Sequence, residues 1–279
     1  MSRQSVTRRR SSQRAAAGRP AKITDVIGAF PYRMALAGGW IDQPFMSRHN
    51  PKPPGSMVVI GLEPTFPWMD RSGIATSTRR VALQRWDVLL KRNPAELVEE
   101  LYEAENKGNL HASGSQDMIG LLYPGVNRLD YDYAYKGGVF PKNIESNNNA
   151  RIARWLERVI QVIAIGPRPE GYDPLATKRL SPHWVQRLGR SGRDCYDAIL
   201  KRDIAGLGAS MNECMLCWEN LLPNVLRHPS IKLDLPAILK FYQSKYPGAM
   251  YSGCGGGYLY IASEEPVPGA FHVNVRTKP

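Results

Sequence analysis

The sequence predicts an α+β fold. Short apolar segments typical of strands lie near both ends of the chain, and longer amphipathic segments typical of helices lie between them. Residues 57–62 (MVVIGL) and 257–263 (GYLYIAS) are strand candidates, whereas residues 182–203 and 205–226 have apolar side chains at helical spacing. Because strands and helices occupy separate parts of the chain, an α+β arrangement is favoured over alternating βαβ units.

The other predicted elements follow from periodicity and from turn residues. The predicted strands are 28–37, 57–62, a pair within 127–140, 159–165, 257–263 and 270–276; the predicted helices are 78–92, one that begins at Pro94, 149–157, 182–203, 205–226 and 235–246. Pro94 suits the first position of a helix, where its missing N–H has no partner to lose. Lys136-Gly137-Gly138 predicts the turn within the strand pair.

The charge is unevenly distributed. The formal net charge of the 279 residues is +12, and residues 1–22 contribute +7 of it without a single acidic residue. This tail has few apolar residues, so we expect it to be disordered. The remaining net charge of +5, carried by residues 23–279, suits a protein that binds phosphate esters. It also leaves nucleic-acid binding as a weaker alternative, since the aromatic residues do not alternate with basic ones as a stacking ladder requires.

Composition also bears on the compartment. No apolar run reaches 18 residues, so a membrane span is not expected. Cys195, Cys214, Cys217 and Cys254 are too few for a disulfide framework in a chain of this length, which favours free thiols in the cytoplasm. Cys214 and Cys217 have the spacing of a metal or redox pair, but they lie in a helical pattern without a second pair.

Four segments carry residue types suited to chemistry on phosphates and hydroxyls. Residues 31–42 (PYRMALAGGWID) take a strand into a glycine pair and an aspartate, and residues 72–78 (SGIATST) place small residues before a helix, where phosphates bind backbone N–H groups. Residues 112–120 (ASGSQDMIG) place an aspartate at a helix start, and residues 252–257 (SGCGGG) form a loop that tolerates unusual backbone angles.

In this order the four segments resemble the motifs of the GHMP kinases, a superfamily that includes galactokinase, homoserine kinase and mevalonate kinase. PYRMALAGGWIDQPF, GSQDMIGLLYPGVNRLDYD, LGASMNECMLCWENLL and SGCGGGYLYIA are most similar to the heptose-phosphate kinase and fucokinase branch, and the likeness covers roughly residues 28–276. The resemblance implies two lobes behind the 1–22 tail: a ribosomal-protein-S5-like lobe at 23–145 and a ferredoxin-like lobe at 146–279.

The resemblance further implies a kinase that uses ATP and Mg²⁺ to phosphorylate a hydroxyl of a sugar or sugar phosphate, with the anomeric hydroxyl favoured. Asp117 would be the catalytic base, and Arg33 would keep it ionised. The implied phosphate-binding residues are Gly73, Ala75, Thr76, Ser77 and Thr78; the implied substrate-binding residues are Gly39, Asp42, Gly253, Gly255, Gly256 and Gly257; the implied Mg²⁺ ligands are Ser77 and Glu105.

Two departures from the family pattern keep alternatives open. Ala75 stands where the family has a glycine, which restricts positive φ angles, and only 31 residues separate Asp42 from Gly73. A pseudokinase that binds a small metabolite without turnover is therefore one alternative, and an amino-acid or mevalonate-like acceptor is another. Arg79 and Arg80 are expected near the phosphates.

Further features stay open at this stage. His111 precedes the candidate base by six residues, and Arg168 lies in the loop after the 159–165 strand, where it either binds an anion or belongs to an ordinary loop. The expected partner is a small molecule rather than a membrane or a nucleic acid. Both a monomer and a homodimer fit the sequence.

Overall fold

The structure is a computed structural model that describes residues 22–86, 88–108 and 114–278. The basic tail predicted to be disordered is residues 1–22. All of it except Lys22 lies outside the described residues. His111 lies outside them as well.

The described elements confirm an α+β fold. The strands are β1 Tyr32–Ala35, β2 Gly55–Leu62, β3 Val126–Tyr131, β4 Asn143–Asn147, β5 Ile160–Gly166, β6 Gly248–Gly253, β7 Gly256–Ala262 and β8 Phe271–His272. The helices are α1 Ile23–Ile27, α2 Pro44–Ser47, α3 Thr76–Trp86, α4 Pro94–Asn106, α5 Gln116–Leu122, α6 Ala150–Val159, α7 Pro182–Lys201, α8 Ile204–Leu221 and α9 Leu235–Lys245.

The first sheet is an antiparallel meander in the order β1-β2-β3-β4. Arg33 in β1 lies opposite Gly61 in β2, and Ser56 in β2 lies opposite Asp130 in β3. β2 is buried along its whole length, which explains its continuous apolar sequence. A short 3₁₀ turn at Lys136–Gly138 lies between β3 and β4, as the glycines predicted, but β4 begins at Asn143, beyond the strand pair predicted within 127–140.

The second sheet has the order β6-β7-β5-β8, with β7 and β5 in the middle. The predicted strand at 270–276 is wrong beyond its first residues, since β8 contains only Phe271 and His272. The chain then leaves this sheet for the first one: Val275 forms an isolated bridge with Leu62, and the Arg276 N–H donates to the Gly61 carbonyl (2.8 Å). This crossing ties the two sheets together at one edge.

Helix α7 lies directly on the first sheet although it follows the second sheet's β5 in sequence. A Cβ added to Gly192 would come within 1.9 Å of the Ser56 carbonyl oxygen, and one added to Gly189 within 2.7 Å of the Gly55 Cα. The two glycines therefore allow the helix and β2 to approach closely. One continuous hydrophobic core fills the space between sheets and helices.

No helix in the described ranges combines the length and the apolar character that crossing a membrane requires.

Candidate active site

A cleft of about 1240 Å³ receives residues from both sheets and from the loops between them. Its walls come from β1, from the segments 39–48, 70–80, 114–117, 168–180 and 252–254, and from Trp218 on α8. Of the residues predicted to form the site, Arg33, Gly39, Asp42, Gly73, Ala75, Thr76, Ser77, Asp117 and Gly253 line this one cleft. Positions far apart in the sequence thus meet at a common surface.

Arg33 and Asp117 form an ion pair at the centre of the cleft. Arg33 is only 4% exposed, and its second guanidinium nitrogen donates to the Gly73 carbonyl at 3.2 Å. Gly120 makes the pairing feasible, because a Cβ at this position would lie 1.9 Å from Cγ of Arg33. Burial lowers the pKa of Arg33 to about 10, which still leaves it charged at neutral pH.

The phosphate-loop candidate, residues 70–77, leads into α3. Gly73 has φ +79° and Ala75 has φ +52°. Ala75 therefore adopts the left-handed backbone conformation, although the side chain of an alanine disfavours it. An alanine there costs about 1 kcal/mol or more relative to a right-handed residue. The open N–H groups of the first turn of α3, with the helix dipole, make this end attractive to phosphate oxygens.

The second sheet holds this loop in place. Ser252 donates its hydroxyl to the Ser72 carbonyl, and the Met69 N–H donates to the hydroxyl of Tyr258 at 2.8 Å. A Cβ on Gly73 would lie 2.5 Å from the Ser252 carbonyl oxygen, so the loop and the end of β6 are in backbone contact. The phosphate-loop candidate is therefore fixed by the opposite half of the molecule.

Oxygen atoms of the kind that bind Mg²⁺ lie beside Asp117. The Thr78 hydroxyl contacts both carboxylate oxygens of Glu105 (2.9 and 2.8 Å) and lies 3.5 Å from Oδ2 of Asp117. Burial raises the pKa of Glu105, opposed by the hydroxyls of Thr78 and Ser77. Within the described ranges no three His, Cys, Asp or Glu side chains cluster as a metal site. Mg²⁺ in nucleotide sites needs only one or two carboxylates besides phosphates, so this donor set fits it.

Thr78 and Glu105 do not themselves form the cleft wall. Thr78 is fully buried, so it is placed to orient the two carboxylates rather than to contact phosphate directly. Thr78 was predicted to bind phosphate together with residues 73–77, but it lies behind the cleft wall.

Asp42 also lines the cleft and is almost completely buried. Its Oδ2 atom has no hydrogen-bond partner, and Gly114 makes room for it, since a Cβ there would lie 1.5 Å from that oxygen. Burial raises the pKa of Asp42 to about 6, although Arg33 and nearby N–H groups act in the opposite direction. A buried acceptor oxygen without a donor is what a ligand hydroxyl would satisfy.

Aromatic side chains also line the cleft. Trp40, Phe45 and Trp218 line it, and the indole N–H of Trp218 donates to the Gly39 carbonyl at 3.0 Å. The sequence pattern does not distinguish Trp218 as a cleft residue, because its position on α8 has the apolar periodicity of a core residue. Its proximity to the glycine pair arises only when α8 packs against the 38–39 turn.

The glycine-rich loop differs from its prediction in part. Gly253 lines the cleft, but Gly255, Gly256 and Gly257 do not contribute to the wall. Gly255 lies in the tight turn between β6 and β7, and Gly256 and Gly257 begin β7; their φ angles are +73°, +120° and +90°. A Cβ on Gly257 would lie 2.3 Å from the Ser72 carbonyl oxygen, so these glycines support the phosphate loop from behind.

The two arginines on α3 also have different positions. Arg79, expected near phosphates, is buried and donates instead to the carbonyls of Ile27, Gly28, Phe30 and Pro31. These contacts join α3 to the segment that precedes β1. Arg80 does line the cleft, where its exposed side chain pairs with Asp70 at 2.7 Å.

Known proteins share this arrangement at the level of the fold. A D-glycero-D-manno-heptose 1-phosphate kinase from Bacteriodes thetaiotaomicron is similar with a TM-score of 0.55 and 13% identity, over 88% of this chain and 95% of that one. A mevalonate kinase from L. major in complex with R-mevalonate has a TM-score of 0.55 and 12% identity, over 89% and 95% of the two chains. A galactokinase from Lactococcus lactis complexed with galactose has a TM-score of 0.54 and 12% identity, over 87% and 88%.

Sequence-level comparisons add nothing to these likenesses, since neither a family model nor a curated protein matches. At 12–13% identity the structural likenesses establish the fold, and the activity has to be argued from the side chains of the cleft. The chain therefore has the fold of these sugar and mevalonate kinases.

Proposed function

We propose that this protein is a kinase that transfers the γ-phosphoryl group of ATP to a hydroxyl of a sugar or sugar phosphate, with the anomeric hydroxyl favoured. The observation that carries the proposal is the Arg33–Asp117 pair, which is bonded to the phosphate-loop candidate through Gly73 and lines the same cleft as the buried Asp42. A cytoplasmic location belongs to the same proposal and is supported by four free, buried cysteines.

Asp117 is the proposed base. When the acceptor oxygen attacks the γ-phosphorus, the bond to the β–γ bridging oxygen breaks, ADP leaves, and the hydroxyl proton passes to the Asp117 carboxylate. Arg33 supports the ionised carboxylate through its ion pair and also holds the Gly73 carbonyl, so base and phosphate loop keep a fixed separation. Most of the catalysis in such a transfer comes from positioning and from charge stabilisation.

ATP would place its phosphates at residues 73–77 and the start of α3. Ser77 and Glu105 are the proposed Mg²⁺ ligands, with Thr78 holding the carboxylate. The bound ion would supply positive charge to the β- and γ-phosphates. Because Ala75 retains a positive φ, the altered loop keeps a backbone conformation compatible with this role.

The acceptor would occupy the end of the cleft near Asp42. A polyol suits this end because the unpartnered Oδ2 of Asp42 accepts a hydroxyl proton and the rings of Trp40 and Trp218 offer an apolar face. An acceptor carboxylate placed against Asp42 would be repelled, which disfavours amino-acid and mevalonate-like acceptors.

The test is an ATP-consumption screen with Mg²⁺ against monosaccharides and their phosphates, with the Asp117→Asn variant in parallel. We expect one acceptor to release ADP and the variant to lose 10²–10⁴-fold in kcat, since that is the usual contribution of a general base. Asp197→Asn is a matched control, because Asp197 lies on α7 outside the cleft and should leave the rate unchanged.

Thermal shift separates turnover from binding. A bound nucleotide stabilises the folded protein in proportion to the logarithm of its concentration over Kd, even without an acceptor. If sugars shift the melting temperature while ATP with Mg²⁺ does not, the kinase proposal is overturned in favour of a metabolite-binding pseudokinase. If Asp117→Asn retains full turnover, the base assignment is wrong.

A further inference from the structure

Arg168 holds a charged side chain at the phosphate loop that the mechanism above does not use. Its backbone N–H donates to the Arg71 carbonyl at 3.0 Å, and the Arg71 side chain donates back to the Pro169 carbonyl. This reciprocal contact fixes the loop after β5 against residues 70–73. Arg168 therefore approaches the phosphate loop from the second sheet.

The guanidinium lies beside the start of the loop. A Cβ built on Gly253 would come within 2.6 Å of Nη2 of Arg168 and within 3.0 Å of the Gly73 Cα. Gly73 is also the residue whose carbonyl accepts from Arg33 at 3.2 Å. Arg168, Gly73 and Arg33 are consequently neighbours at the centre of the cleft, next to the proposed base.

Among the described residues, the charge of Arg168 has no carboxylate counterpart. No carboxylate among the described residues forms an ion pair with it, and its Nε atom is buried without a hydrogen-bond partner. By contrast, Arg33 is paired with Asp117, and Arg80 is paired with Asp70. A partly buried guanidinium close to a second one is unfavourable until an anion joins them, and the nearby charge of Arg168 is one of the causes that lower the pKa of Arg33.

We propose that Arg168 binds the γ-phosphoryl group of the nucleotide and stabilises its charge during transfer, as an arginine finger supplied within the same chain. A planar guanidinium suits this task because it binds two phosphate oxygens at once. The phosphate loop has no lysine, and its neighbour Arg79 is committed to backbone carbonyls, so the loop after β5 supplies a cation at this point of the cleft. This inference rests on the proposed kinase function.

The test compares two nucleotides that differ in the γ-phosphate. The β,γ-imido analogue of ATP and ADP, each with Mg²⁺, are titrated into the full chain by calorimetry. We expect Arg168→Gln to weaken the analogue about tenfold and ADP less than twofold, because only the analogue carries the group that Arg168 binds. In turnover, the kcat of Arg168→Gln should be at least 100-fold below that of the wild type, since arginine fingers contribute roughly 10³–10⁵-fold. The kcat of Arg168→Lys should lie between the values of the wild type and Arg168→Gln.

Controls keep the outcome interpretable. Arg179→Gln removes an exposed arginine that does not line the cleft and should change neither affinity. Since Nε of Arg168 has no hydrogen-bond partner and its charge lies close to that of Arg33, Arg168→Gln should melt no lower than the wild type. Equal losses for both nucleotides, or unchanged affinities with a raised KM for the acceptor, would overturn the role at the γ-phosphate and leave the kinase proposal intact. A wild-type protein that binds neither nucleotide would overturn both.

Discussion

Replacing Asp42 by asparagine should stabilise the protein at neutral pH while removing acceptor binding. Asp42 is 1% exposed, and burial raises its pKa from 3.8 to about 6. At neutral pH the folded state must therefore keep a carboxylate ionised where the unfolded chain ionises it freely. A shift of about two pH units corresponds to a cost of about 3 kcal/mol.

The sign of the pH dependence follows from proton binding. Between about pH 4 and pH 6 the folded protein holds a proton on Asp42 that the unfolded chain has lost, so this group makes the free energy of unfolding fall as the pH rises through that window. Asparagine mimics the neutral carboxyl and removes the cost. For a chain of this size we expect Asp42→Asn to melt roughly 5–10 °C above wild type at pH 7.5 and close to wild type at pH 4.

Asp130→Asn is the matched control, with the opposite sign. Burial raises the pKa of Asp130, but hydrogen bonds from Arg128, Ser56 and Asn143 outweigh it and the net shift is downward. Its ionised form is thus stabilising above its unfolded pKa, and that stabilisation is lost as the pH falls through the folded value. Asp130→Asn should therefore lower the melting temperature throughout pH 4–7.5, and the difference should shrink only below about pH 4.

Melting curves at pH 4, 5, 6 and 7.5 for wild type and both variants make the comparison. The reasoning is refuted if Asp42→Asn lowers the melting temperature at pH 7.5, or raises it equally at every pH. Calorimetric titration of the acceptor found in the activity screen then tests the functional half: the variant should lose most of its affinity, because an amide presents one acceptor oxygen where the carboxylate presents two.

Two further substitutions test contacts that the fold creates. Gly120→Ala places a methyl group where Cγ of Arg33 lies, so it should displace the arginine. Thermal melting should then show a lower melting temperature, and steady-state kinetics a kcat reduced by about tenfold or more. Unchanged kinetics would contradict the packing argument. Arg79→Lys should cost about 2 kcal/mol in a denaturant titration because lysine cannot satisfy the same carbonyls, whereas the neighbouring exposed Arg80→Lys should cost less than about 0.5 kcal/mol; equal costs would argue against the buried role of Arg79.

Local patterns were sufficient wherever an element is long and periodic. The helices predicted at 182–203 and 205–226 begin within a residue of α7 and α8, because their apolar faces repeat along many turns. Strand β6, Gly248–Gly253, was not predicted, since GAMYSG has glycines at both ends and its pairing with β7 stabilises it instead. The strand predicted at 270–276 is wrong beyond its first residues because only Phe271 and His272 pair with a neighbouring strand of the same sheet, although the whole segment has a β-prone sequence.

The sequence by itself determined the fold class and the chemical character of the candidate site. The glycine pair, the aspartates and the small residues before α3 are visible as residue types in order, and the resemblance they support agrees with the observed fold. Tertiary structure decided which of these groups act together. Arg33 pairs with Asp117, which is 84 positions later in the chain, whereas Gly255–Gly257 do not line the cleft. Arg79 donates its hydrogen bonds to backbone carbonyls, and Arg168 has no ion-pair partner among the described residues. Burial and charge pairing depend on neighbours brought together by packing, and those neighbours have no fixed spacing along the chain.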